Sequence, residues 1–357
     1  MKIQKSRVFL FLLSAALVVF FFSACSKTQM SQRESQPSSS SPLLINVAGS
    51  TLAYPIYSKW FSDYHQLHPD IELNYASIGS GGGIAQLRAG TVDLGASDMP
   101  VNDKLLRTFH VKILQFPAVL GAVVPTYNLP GVTEALKFTP EALAGIYLGT
   151  ITKWNDPALA APNRDIKLPN QKIITIHRSD GSGTTFIFTD YLSKISPKWK
   201  SKVGSNTSVN WPNGLGGKGS EGVTGLVQQT PYSIGYVELT YALQNHILYG
   251  VILNSTGDYV AATLDSVSAA AASASAELKR DLRASITNPS GKAAYPISTF
   301  TYLLVPATIQ DTAKRNAIKG FLHWMLTDGQ KTVEQISFAP LPQTVVDMEI
   351  KQIDEIQ

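Results

Sequence analysis

Three times along this chain a short apolar run passes through a Gly/Ser turn and on into a segment of helical periodicity: AGSTLAYP at 48–55, IGSGGGI at 78–84 and RSDGSGTTFIF at 178–188. Strand, glycine turn and helix start in that order belong to α/β architectures. The first turn of a helix offers unpaired backbone N–H groups and the positive end of the peptide dipole. Small hydroxyl side chains and one fork-shaped guanidinium, Arg178, complete a set suited to holding an oxyanion. The third segment taken alone is equally compatible with an ordinary strand–helix connection carrying a solvated Arg178–Asp180 pair. Likewise Ser50 or Thr51 fits a helix N-cap with or without a ligand, and 79–83 fits either a backbone cradle or a loose loop.

The N-terminus is a separate problem. Lys2, Lys5 and Arg7 form a basic head, Val8 to Phe22 is almost unbroken apolar sequence, and Ser23, Ala24 and Cys25 are small. Residues 1–24 therefore read as a signal peptide, the run falling short of the roughly 20 residues that span a bilayer. Cys25, the only cysteine, follows Phe-Ser-Ala as in a bacterial lipobox, although Phe22 stands where Leu is usual. It is expected to be lipidated, and no disulfide is available to the rest of the chain. Residues 25–42, rich in Ser and Gln, bury too little to fold and read as a disordered tether. Removing the three basic residues of the head from the 30 Lys and Arg leaves 27 against 26 acidic residues. A nearly neutral chain has no general attraction to nucleic acid, and that class is excluded.

Leu43–Val47 and Ile71–Ser77 read as strands, and Ile56, Trp60, Phe61 and Tyr64 as one helix face behind Pro55. Thr91–Ser97 forms a strand that delivers Asp98, and Pro100 is expected to open a helix containing Leu105 and Leu106. Ile113–Val124 is a buried strand leaving one domain for another, and Pro296–Val305 is its return crossing. Thr126–Pro130 reads as a turn, Thr139 as a helix cap, Trp154 as core and 223–229 as a helix. Ser233–Leu239 is a strand, 266–277 a helix or surface insertion, Ile318–Met325 an amphipathic helix, and the tail is polar. Gly214, Gly216 and Gly219 match a dinucleotide fingerprint but follow Trp-Pro-Asn rather than a clear strand. His65 and His68 lack further ligands at metal spacing and are expected to be exposed.

Together with GASDMP at 95–100, the three turns resemble those of the phosphate-binding proteins of bacterial high-affinity phosphate ABC importers. The likeness continues through FPAVLGAVVPTYNLPG, IYLGTITKWNDP, GLGGKGSEG and IGYVELTYA, covering nearly all of residues 43–345. The resemblance implies an α/β, two-domain periplasmic-binding-protein fold of type II, with two crossover strands forming a hinge. Domain I would comprise 43–120 and 298–357, and domain II 121–297. It also implies a phosphate site made by Ser50, Thr51, Leu52, Ser80, Asp98, Arg178, Asp180, Ser182, Gly183 and Thr184. Arg178 would be the sole cationic contact, Asp180 its partner and Asp98 the carboxylate that touches the ligand. Leu52 stands where relatives carry Phe, a change that is harmless if only its N–H is used.

The implied protein is a monomer with no cofactor, metal or catalytic residue, exported to the periplasm or cell surface and tethered through Cys25. Its partners would be phosphate and an importer of two permeases with an ATPase dimer. Three rivals stand beside it. A secreted phosphatase needs a metal cluster or activated nucleophile, and Ser182 lies in no G-x-S-x-G frame. A binder of sulfate or molybdate is disfavoured by Asp98, because sulfate brings no proton for a carboxylate to accept. An adhesion or sensory role is the third.

Overall fold

The computed structural model describes residues 41–357, so the expectations for the signal peptide and Cys25, and nearly all of the tether, lie outside the described residues. Eight strands form one mixed sheet: β1 (Leu43–Gly49), β2 (Ile71–Ser77), β3 (Leu94–Ser97), β4 (Ile113–Asn128), β5 (Ile174–Arg178), β6 (Leu215–Gly217), β7 (Ser233–Glu238) and β8 (Ser298–Pro306). Their spatial order is β2-β1-β3-β8-β4-β7-β5-β6. β2, β1 and β3 run parallel at one end, and β7, β5 and β6 run parallel at the other. Between them β8 and β4 pair antiparallel to each other and to their outer neighbours.

The sequence of β4, ILQFPAVLGAVVPTYN, explains its central place. It is buried along almost its whole length, as expected of a strand covered on both faces. Residues 113–122 pair with β8, and from Val123 onward the partner is β7. A single strand thus runs through both halves of the sheet. The strand outlasts the turn expected at 126–130, because Thr126, Tyr127 and Asn128 still pair with Gly235, Ile234 and Ser233. The second apolar run also forms a buried strand, β8, paired with β3 on one edge and β4 on the other.

Pro140–Tyr147 is capped by the Thr139 hydroxyl, and Trp154 is buried with its indole N–H donating to the Tyr232 carbonyl. Several boundaries differ from expectation. The helix after β1, α1 (Tyr54–Leu67), has Ala53 at its N-cap position, and the Ser50 hydroxyl accepts from Ala53 N–H at 3.1 Å while donating to Asp98. Beyond Pro100 the only helix before β4 is the four-residue turn Asp103–Leu106, started by the Asn102 side chain rather than by the proline. The polar tail is in fact a helix, Gln343–Ile353, which buries Val345, Val346 and Ile353 beneath an otherwise polar surface. The Ala/Ser-rich segment forms the helix Leu264–Ser273 and a further turn, Ser275–Leu278. His65 and His68 are exposed.

Candidate functional site

In open α/β sheets, ligands sit beyond the carboxyl ends of the parallel strands. Every turn singled out by the sequence lies there. β1 leads to Ser50–Leu52 and α1, β2 to Ser80 and α2 (Ser80–Ala89), and β3 to Asp98. On the opposite half, β5 leads to Arg178–Ser182 and α3 (Gly183–Ile195). A fourth helix start joins them: α4 (Gly219–Gln229) begins four residues earlier than expected, with Gly219 at φ +71. Four helix starts, two from each half of the sheet, converge on one place.

The two halves touch directly. Gly81 N–H donates to the Gly181 carbonyl at 2.8 Å, and Gly183 N–H donates to Ser80 Oγ at 3.1 Å. Ser220 N–H donates to Thr51 Oγ1 at 3.1 Å, and the two hydroxyls lie 2.9 Å apart. The approach is close enough to require glycine: a Cβ on Gly183 would lie 2.4 Å from both Asp98 Oδ2 and Ser80 Oγ.

Asp98 is 1% exposed. Ser50 Oγ donates to its two oxygens at 2.6 and 2.7 Å, Thr301 Oγ1 to Oδ1 at 2.9 Å, and Ser80 Oγ is 3.5 Å from Oδ2. Burial pushes its carboxyl up to about 6 against the opposing pull of Ser50, Thr301, Arg178 and Ser80. Arg178 is also buried. Its Nε and Nη2 clamp Asp180 at 2.7 and 2.5 Å, and Nη1 lies 3.4 Å from Thr184 Oγ1. Burial raises the Asp180 carboxyl, but the guanidinium outweighs that and holds it below the usual carboxylate range. Gly219 N–H also donates to Asp180, tying the fourth helix start to the Arg178 pair. Glu238, at the end of β7, is fully buried and pushed up to about 8, so it is neutral at pH 7. The guanidinium is thus outnumbered by the carboxylates of Asp98, Asp180 and Glu221, the last accepting from Tyr241 Oη at 3.0 Å. Neutralisation of a bound anion must come chiefly from backbone dipoles and hydroxyls.

The first turn is held from behind. Tyr75 Oη donates to the Ser50 carbonyl at 2.6 Å, and Tyr241 Oη to the Thr51 carbonyl at 2.6 Å. In a trans peptide the following N–H points the other way, so these phenols fix the directions of the Thr51 and Leu52 N–H groups. The Leu52 side chain lies in the core beside Gly121 and can offer the site only its backbone. Ser182 is the N-cap of α3, its hydroxyl accepting from Thr185 N–H.

The structure therefore brings together all ten residues named from the sequence. It adds Thr301, Ser220, Gly219, Tyr75, Tyr241 and Glu238. The GKGSEG run was the available signal for Gly219 and Ser220, and IGYVELTYA for Glu238 and Tyr241; Tyr75 and Thr301 sit in ordinary strand sequence and carried none.

The model of the PBP superfamily domain matches residues 31–329. A protein named phosphate-binding protein PstS from Xylella fastidiosa (strain Temecula1) is 45% identical over 303 residues, 85% of this chain and 82% of its own length. The PstS protein of Methanocaldococcus jannaschii is 38% identical, with 90% of each chain covered. The chain belongs to the PstS family. The PstS fold is seen also in more distant solved structures. A high-affinity periplasmic phosphate-binding protein, PfluDING, solved with phosphate, has a TM-score of 0.68 at 19% identity, over 86% of this chain and 92% of its own. An ABC-type phosphate transport receptor from Vibrio cholerae has a TM-score of 0.54 at 18% identity, over 84% and 100%. The fold is the two-domain α/β fold of these binding proteins.

Proposed function

We infer that this protein is an extracytoplasmic receptor that captures inorganic phosphate and delivers it to an ABC importer. One observation carries the reading: a buried carboxylate, Asp98, faces a ring of helix starts across from a single, already paired guanidinium. Such a wall repels any anion that brings no proton. Phosphate retains at least one O–H at neutral pH and can donate it to Asp98 in a charge-assisted hydrogen bond. The Thr51, Leu52, Gly183 and Thr184 N–H groups, the Ser80, Ser182 and Thr184 hydroxyls and Arg178 would hold the remaining oxygens, with Asp180 fixing the guanidinium and Ser50 holding Asp98. The names of the relatives and the convergence of these residues support the assignment.

Residues 43–120 with 298–357 and residues 121–297 would act as the two lobes. The change of partner along β4 at Val123 favours a hinge there and at the entry to β8. The chain would be exported on residues 1–24, lipidated at Cys25 and work as a monomer that docks on two permeases with their ATPase dimer. Titration with phosphate, sulfate and molybdate, followed by intrinsic tryptophan fluorescence, tests the reading. A saturable change with phosphate alone is expected. Equal saturation by sulfate or molybdate would contradict it.

A further inference from the structure

One contact to Asp98 comes from a strand to which none of the anion-cradling turns belongs. In the ladder between β8 and β4, Thr301 faces Val119 whereas Tyr302 faces Pro117, so the register slips by one residue between them. Across the other edge of β8, Tyr302 pairs with Ser97 and Leu303 with Ala96, so Thr301 comes opposite Asp98, and its buried hydroxyl lies 2.9 Å from Asp98 Oδ1, with the Tyr57 phenol beside it. The other carboxylate oxygen, Oδ2, is the one that faces the Gly183 helix start.

We propose that Thr301 is a specificity-positioning residue: its hydroxyl occupies the inner oxygen of Asp98, leaves Oδ2 as the proton acceptor for the guest, and sets how strictly a proton-free oxyanion is refused. The inference rests on the phosphate reading above. Asp98 can refuse sulfate only while ionised, because a protonated carboxyl becomes a donor that sulfate accepts. The groups that face it electrostatically are Arg178 from β5, Glu238 at the end of β7, and the phenols of Tyr57 on α1 and Tyr75 on β2. Burial raises both phenols and Glu238, which leaves them uncharged at pH 7. Arg178 is then the one favourable charge, and the hydroxyls of Ser50, Thr301 and Ser80 supply the rest of the ionised form's support.

Removing the Thr301 hydroxyl raises the Asp98 carboxyl further, so protonation, and with it entry of sulfate, begins at higher pH. The test is displacement of phosphate by sulfate between pH 5 and 8, measured by calorimetry on the wild type, Thr301→Val and Thr301→Ser. With valine, the pH of half-maximal sulfate competition should rise by about one unit, equivalent to about fivefold tighter sulfate binding at pH 7, where the protonated fraction of Asp98 goes from about a tenth to about a half. Serine, which restores the donor, should return the profile to that of the wild type; Thr301→Ala carries the same test if the valine variant does not fold. An unchanged profile in the valine variant, or a serine variant that behaves as valine does, overturns the assignment. Asp98→Asn run alongside separates the two levels. If it too leaves sulfate competition unchanged, the phosphate reading of Asp98 has failed; if only Thr301→Val is silent, Thr301 alone is wrongly assigned.

Discussion

Replacing Asp98 by asparagine is expected to lower the preference for phosphate over sulfate by at least about a hundredfold. Two effects add. The variant loses a charge-assisted bond to the phosphate proton, the kind of contact worth about 1.5–3 kcal/mol. It also gains an amide that donates to a sulfate oxygen where a carboxylate had repelled it. Sites that leave a buried polar group unmatched by the wrong ligand discriminate by ~10⁴-fold or more, so there is room for a fall of that size. Competition calorimetry at pH 8 checks it, since there the carboxyl, raised to about 6, is ionised in the wild type. A sulfate-to-phosphate ratio equal to that of the wild type would remove Asp98 from specificity.

Arg178→Ala should weaken phosphate binding by between about 10²- and 10³-fold. Truncating one member of a buried, hydrogen-bonded ion pair costs about 3–5 kcal/mol, much of it from the charge left without a partner. The orphan here is Asp180, which then faces the incoming anion with only Gly219 N–H to support it. Combining Arg178→Ala with Asp180→Asn should therefore recover part of the loss. Arg178→Lys should not rescue fully, because an ammonium cannot reproduce the clamp of Nε and Nη2 on Asp180. Wild-type affinity in Arg178→Ala, by the same calorimetry, would exclude the guanidinium from the site.

The turns were legible because their chemistry is local. Glycine, serine and threonine between a β-branched run and an apolar-periodic segment specify the turn and the helix start within about ten residues. For the same reason the strand ending at Asp98 could be placed, and the continuous apolar runs of β4 and β8 announced strands buried on both faces. What the sequence did not show depends on long-range pairing. Thr301 reaches Asp98 from 203 residues away, through the antiparallel pairing of β8 with β3. Tyr241 reaches the Thr51 carbonyl across 190 residues. Local preference also misled where tertiary contacts overrode it. The polar tail becomes a helix because Val345, Val346 and Ile353 fall on one buried face. The Gly214–Gly219 pattern, which reads weakly as a dinucleotide fingerprint, opens the helix that supports Asp180 and meets Thr51.

The central claim is that the guest supplies the proton between itself and an acidic wall. A crystal structure of the mature chain grown with phosphate, refined at a resolution that shows hydrogens, addresses it most directly. The account predicts one phosphate oxygen at charge-assisted distance from Asp98 Oδ2 with a proton between them, and the other oxygens on the Thr51–Leu52 and Gly183–Thr184 N–H groups and Arg178. A phosphate bound out of reach of Asp98, or touching it with no proton between the two oxygens, would contradict it.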